Sequence, residues 1–474
     1  MKYGYILSFL RKFFLYSVIF ITTTSVSVAA TARSEIQYLV KKYGMKDATI
    51  GISAERTMSG EKLYAYGEDR PLKPASNNKV FTIGAALFAI PSDFRFTTTV
   101  NYPSSRVKSG VLYGDMYIKF SGDPSLTGSE LFELIKKIKT QKGIKQITGN
   151  VYLVGAFSGP YVPDGWSKED ATFCYGSPAS SFTINRNCAI IKRAKNPNSL
   201  STRVIGISND TNIDIDNTAK YTSSNKDTII SMTDRNKLEI RGYLSRTAEK
   251  MFKLSIRNPA LKTLETVNDF MDSNGIKHEK VLVTSTVPDG YPVQIENKSS
   301  TIGSYIDRTL KHSDNLYAET ILNTTGIKQK GIGSTAAGTS AVQEIFNKKL
   351  GLNTSPLVMY DGSGLSHLDR VTPEFMTNYL TKIYNSEVGK KFHDYLPASG
   401  MSGTISYRMG GKMLNRVHAK TGTLAGVSSL SGYVLTSKVH RVSFSIIIND
   451  LKASQRNNAR RFQDKVVEVF YDYL

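Results

Sequence analysis

The sequence predicts an α/β (α+β) fold, a domain built from both ends of the chain around a large, mostly β insert. Three observations carry this. Helical and strand-like patterns alternate over the first hundred residues, and the same alternation returns over the last fifty. Between them the texture changes to short β-like runs in a polar background.

Residues 34–43 have helical spacing, and residues 48–54 and 62–66 read as strands. Pro71 and Pro74 break the chain ahead of Ser76. From there Val80, Phe81, Ile83, Ala85, Leu87 and Phe88 make a helix apolar on most sides, as a buried central helix should be. At the far end, residues 428–434 and 442–448 read as strands, and 456–474 as a closing helix with Phe462, Val466, Val469 and Phe470 on one face. In the middle, residues 110–113 and 116–120 are strand-like and a helix lies near 131–140. Residues 195–250 are dense in Asn, Asp, Ser and Thr, with β-like runs at 204–207 and 228–231. The expected division is a domain of residues 31–93 and 293–474, an inserted domain of 94–194 and 251–292, and a nested β-rich domain of 195–250. Residues 196–201 form the expected linker.

The chain opens with a basic start (Lys2, Arg11, Lys12), an apolar run over 13–21 and small residues from Val28 to Ala32. That order reads as a secretory signal peptide, 1–30, cut after Ala30 or Ala32. An uncleaved anchor is the alternative, but the run is short for a span of ~20 residues. Roughly 440 residues then remain, enough for two or three domains. The net charge of +21 falls to +18 without those three cations. In an exported protein, an anionic wall polymer or envelope surface is a better partner than nucleic acid, although a generally basic proteome explains the charge equally well. Cys174 and Cys188 are the only cysteines, compatible with one disulfide or two free thiols. Two cysteines and six scattered histidines form no metal-ligand cluster.

Three short motifs carry the chemistry: Ser76-Asn77-Asn78-Lys79, Ser313-Asp314-Asn315 and Lys420-Thr421-Gly422. The first pattern also begins at Ser59, Ser105 and Ser223, but only Ser76 opens a strongly apolar helix. Three residues apart, Ser76 and Lys79 share a helix face, so the amine can take the hydroxyl proton. That requires a depressed lysine pKa, from burial and from nearby positive charge such as Lys420. Ser313 can relay protons and Asn315 can hold a substrate carbonyl; alone, the triplet reads more simply as a helix cap. Lys420 and Thr421, ending a strand-like run, can bind a terminal carboxylate. Gly422 admits a peptide backbone, and the Thr423 N–H faces the carbonyl oxygen.

The ordered set is characteristic of penicillin-binding proteins and class A β-lactamases. Together with residues 110–115, 122–124, 149–151 and 361–366, and with Asp170, Cys174, Tyr175, Pro178, Asn187 and Cys188, the chain resembles the class C low-molecular-mass penicillin-binding proteins of the penicillin-binding protein 4 type. Those enzymes carry a large insert between the first two motifs, and here 237 residues separate Ser76 from Ser313. The resemblance implies a serine β-lactamase/transpeptidase-like domain with an antiparallel sheet flanked by helices. It implies D-alanyl-D-alanine carboxypeptidase and endopeptidase activity on peptidoglycan stem peptides through an acyl-serine, trapping by β-lactam antibiotics, a periplasmic or envelope-exterior location, and no metal or organic cofactor. Ser76, Lys79, Ser313 and Lys420 would be catalytic. Asn315, Thr421, Gly422, Thr423 and Asp170 would bind substrate, with Asp170 toward the stem peptide's free amine. His367 stands where such enzymes often have an arginine that meets the side-chain carboxylate.

Two rival functions are a serine β-lactamase and a non-catalytic cell-wall binder. Glu319-Thr320-Ile321-Leu322-Asn323 matches a class A pattern but starts four residues after Asn315, where it reads as part of the same helix. A pure binder would have no need of Lys79.

Overall fold

The computed structural model describes residues 30–157, 162–193, 204–206, 213–222, 228–245 and 250–474. The expected leader up to residue 29, the linker 196–201 and Ser223 lie outside them.

Among the described residues helix α1 covers 30–42, with Ala32, Ile36 and Leu39 in the core. Strands β1 (Thr49–Arg56) and β2 (Lys62–Tyr66) follow, then the buried helix α2 (Lys79–Ala89). The chain next builds β3 (Arg95–Asn101), β4 (Met116–Phe120), α3 (Gly128–Thr140), β5 (Val151–Gly155) and β6 (Cys188–Arg193). After a four-stranded sheet centred on β7 (Leu238–Ser245) come β8 (Lys250–Ser255), α4 (Pro259–Ser273), β9 (Val281–Thr284) and β10 (Val293–Thr301). Helices α5 (Ile302–Lys311), α6 (Asn315–Lys330), α7 (Thr335–Leu350), α8 (Pro373–Tyr384) and α9 (Gly389–Tyr395) return to the first unit. Strands β11 (Val417–Leu424), β12 (Val427–Leu435) and β13 (Arg441–Asn449) and helix α10 (Arg456–Tyr473) complete it.

The two chain ends meet in one antiparallel sheet, ordered β2-β1-β13-β12-β11. Both faces are covered, and the period of two divides them. Leu430, Val434, Phe444, Ile446 and Ile448 pack with α1 and α10, while Tyr433 and Ile447 face α2 and α8. This is why β13 reads as a nearly continuous apolar run. Helix α2 is locked on its far side by α8. Phe81 and Tyr379 meet edge to face at 4.8 Å, and the Tyr379 hydroxyl donates to Val80 O at 2.7 Å. Gly84 permits that approach, since a Cβ there would overlap the Tyr379 hydroxyl.

The insert has a mixed sheet, β9-β5-β4-β3-β10, parallel across β9-β5-β4 and antiparallel beyond, with its own core under α3 and α4. One expectation needs correction. Residues 293–301, assigned to the end-built domain, pair with β3 in the inserted sheet, and Ile302 N donates to Phe94 O at 2.9 Å. The chain therefore leaves near residue 94 and returns near 302. The strand's partner lies some two hundred residues upstream, so no local pattern revealed the boundary. The strand-like run expected at 417–419 and ended by the third motif is β11, which closes one residue past Thr423, at Leu424.

Candidate active site

Pro74 precedes a single 3₁₀ turn, Ala75–Asn78, that places Ser76 immediately before α2. Ala75 has φ 49° and nests under Gly364, whose own φ is +78° and where a Cβ would strike Ala75 O. Lys79, the first residue of α2, is fully buried. Its Nζ lies 2.9 Å from Ser76 Oγ, 2.6 Å from Asn315 Oδ1 and 2.7 Å from Ser363 O. Ser59 and Ser105, the other described serines of this pattern, are exposed in turns.

Burial disfavours the ammonium and pulls the Lys79 pKa down to about 8, against the opposing pull of Asp361, Glu319, Asp314 and Asp369. Burial, the first of the two causes expected, leads. Lys420, also fully buried, is itself pulled well down by burial and by Lys79. Its Nζ donates to Ser313 Oγ at 2.9 Å and to Thr421 O at 2.7 Å.

Ser313 reaches Lys420 from the left-handed region, φ 56°, at the corner between α5 and α6. Asp314 caps α6 and is gripped by Arg186 Nη2 at 2.7 Å and Arg308 Nε at 2.9 Å. Asn315 opens α6, its Nδ2 donating to Tyr175 O at 2.8 Å.

Strand β11 is the outer edge of the sheet; residues 397–399 bridge its start, and among the described residues no strand pairs with its outer side from Lys420 to Leu424. Gly422 faces the Ser76 turn; a Cβ there would overlap Ser429 Oγ and stand 2.7 Å from Pro74 O and 3.0 Å from Ser76 N. Thr421 Oγ1 donates to Thr404 Oγ1 at 2.8 Å, and Thr423 is exposed. Ser76, Ser313, Thr421, Gly422 and Thr423 line one cleft of about 400 Å³. Arg408 and Arg460 also line it; no motif marked them.

Glu319 lies on α6 with Asn315, as its spacing predicts, and holds the neighbouring turn. Buried one turn below Asn315, its carboxylate accepts from Gly362 N and Ser363 N, the latter at 2.8 Å. Burial and Asp361 hold its pKa above the usual carboxylate range. Asp361 in turn accepts from Gly364 N at 2.6 Å, Ser366 N at 2.8 Å and Trp166 Nε1 at 2.7 Å. These two acids shape the 361–366 turn that presents Ser363 O to Lys79, a role the sequence reading missed.

Asp170 lies apart from Ser76 in the chain but is tied to the site through Tyr175, whose hydroxyl donates to Asp170 Oδ1 at 2.9 Å. Ser167 Oγ donates to Asp170 Oδ2 at 2.7 Å, and His367 Nε2 lies 3.8 Å from the same oxygen. Cys174 and Cys188 form a disulfide across a Cα separation of 5.1 Å, fixing the turn that carries Tyr175.

The model of the D-Ala-D-Ala carboxypeptidase 3 (S13) family matches residues 32–469. The chain belongs to this family. It is a serine-type D-Ala-D-Ala carboxypeptidase, a hydrolase of the penicillin-binding protein 4 type. Among S13 relatives, it is 27% identical to the D-alanyl-D-alanine carboxypeptidase DacB of Haemophilus influenzae over 96% of this chain and 97% of that one. It is also 27% identical to the D-alanyl-D-alanine carboxypeptidase of an Actinomadura species, over 88% of this chain and 80% of that one. The crystal structure of penicillin binding protein 4 from H. influenzae superposes with a TM-score of 0.86 at 25% identity, covering 92% of this chain and 99% of that one. A second H. influenzae structure, complexed with a β-lactam, superposes with a TM-score of 0.82 at 24% identity. The transpeptidase-like fold expected from the motifs is the one observed.

Proposed function

We propose that Ser76 is the nucleophile and Lys79 its general base, acting on the peptide bond between the two D-alanines of a peptidoglycan stem peptide. The observation that carries this is the 2.9 Å contact between a fully buried amine, its pKa drawn down to about 8, and a serine hydroxyl at the floor of an open cleft. A serine hydroxyl attacks readily only when a neighbour takes its proton in the same step. Lys79 accepts that proton as Ser76 Oγ bonds to the carbonyl carbon. The backbone N–H groups of Ser76 and Thr423 stabilise the oxyanion. The Ser313–Lys420 pair returns a proton to the leaving amine of the terminal D-alanine, and water then hydrolyses the acyl-enzyme.

The substrate adds as a strand along the open edge of β11, where Gly422 leaves room for its backbone. Asn315 holds a backbone amide, Lys420 and Thr421 receive the terminal carboxylate, and Asp170 meets the free amine of the stem peptide's diamino acid. With His367 beside Asp170 instead of an arginine, the side-chain carboxylate of that residue is recognised weakly. The same cleft accepts cross-linked peptides, giving endopeptidase action, and β-lactams acylate Ser76. These steps use side chains, backbone and water alone. The enzyme works in the periplasm or on the envelope exterior, where its net basic charge favours an anionic surface.

Incubating the mature protein and its Ser76→Ala variant with a fluorescent penicillin, then resolving both on a denaturing gel, tests the assignment. The native band should carry label and the variant none. Equal labelling of both would place the nucleophile elsewhere.

A further inference from the structure

Between the insert and α5 lies a cavity of about 870 Å³, more than twice the volume of the cleft over Ser76, and no step above uses it. Its apolar wall is Phe132 of α3 against Phe270 of α4, edge to face at 5.2 Å. Its charged groups are mostly cationic: Arg186, Lys253 and Arg308 against Glu133, whose carboxylate already pairs with Lys136 at 3.1 Å. Lys253 is exposed and has no ionic partner among the described residues. Two of the cations are held in place. Arg186 and Arg308 lie over the Tyr317 ring at 5.4 and 5.0 Å and share Asp314 Oδ2. Arg186 sits in a run of three positive φ values, 49°, 64° and 50° over Asn185, Arg186 and Asn187, and its Nη1 is buried without a hydrogen-bond partner. Asparagine enters that region readily, but an arginine does so mainly where its surroundings impose it, and such strain clusters at ligand sites.

The cavity is joined to the active site. Tyr175 lines it, and its carbonyl accepts from Asn315 Nδ2. Cations over an apolar wall suit a ligand that is part anionic and part apolar, and pockets between domains are a common place for one. We infer that this cavity is a second subsite, taking the carboxylate-bearing part of the peptide substrate remote from the scissile bond. The inference rests on the reading that Ser76 acts on stem peptides.

Calorimetric titration of the full mature chain with two probes tests it. One probe is a stem tripeptide with free carboxylates and neither D-alanine; the other is the same tripeptide with its carboxylates amidated. Neither has a scissile D-alanine bond, so binding is measured without turnover. Because the Ser76 cleft also has groups for a carboxylate, the response to substitutions at the cavity-lining Lys253 and Glu133 is what reads the cavity. The acidic tripeptide should bind at least about tenfold more tightly than the amide, the scale of one charge-assisted hydrogen bond. Lys253→Glu should remove roughly that preference, Lys253→Met part of it, and Glu133→Lys should increase it a few-fold. Equal affinity for the two probes, or a preference indifferent to all three substitutions, overturns the subsite.

Discussion

A lysine in a dry pocket holds its proton less firmly than one in water, and Lys79 depends on that difference. Burial draws its pKa to about 8, so near neutral pH about a tenth of the molecules carry the free amine that can accept the Ser76 proton. Because the free amine is the active form, acylation should strengthen as pH rises. The expected second-order rate constant for β-lactam acylation climbs about tenfold per unit below pH 8 and levels above it. Stopped-flow labelling between pH 5.5 and 9.5 measures this; a rate already flat below pH 6.5 would rule out Lys79 as the base. Asn315 and Ser363 O orient the amine, and Ser76 receives it.

At the level of elements, two neighbours of α2 set the site. Strand β11 approaches the Ser76 turn only because position 422 has no side chain. Gly422→Ala should push Ser76 out of line and lower kcat/KM by about a hundredfold, as displacements near 1 Å do. Single-turnover acylation of the folded variant would detect it, and a loss under threefold would contradict the close packing. Helix α6 carries Asn315 and, one turn on, Glu319, which holds the 362–363 backbone. Glu319→Ala strands two buried N–H donors and should cost about 3 kcal/mol of stability, read by urea unfolding. Deacylation of the penicilloyl-enzyme should keep its native rate. Selective slowing of that step would instead make Glu319 a β-lactamase-like base.

On the scale of the whole molecule, the insert supplies part of the site. Tyr175 comes from it, on a turn held by Cys174–Cys188, and Arg186 from the next turn grips Asp314. Closing a loop of 14 residues is worth about 3 kcal/mol against the unfolded chain. Cys188→Ser should lose about that much, and penicillin labelling should slow several-fold as Asn315 loses its support. The native protein treated with reductant should match the variant in both measurements. An unchanged labelling rate in a destabilised protein would confine the disulfide to a structural role.

The sequence by itself determined what is local. The helix of Val80, Phe81 and Ile83 was legible because burial on most sides leaves few polar positions. The strands at 427–435 and 441–449 and the closing helix were legible from their periods. The order of the three motifs carried the family, and that reading stands. Tertiary structure alone decided what depends on distance through space. Strand β10 belongs to the inserted sheet because its hydrogen-bonding partner is β3, far away along the chain. Glu319 is a backbone anchor because residues 362 and 363 fold onto it. Lys79 is depressed by burial, against the pull of four carboxylates that lie far from it in the chain. Local pattern records which face of an element is apolar. It does not record which element lies opposite, and pairing, dielectric and pKa all follow from that.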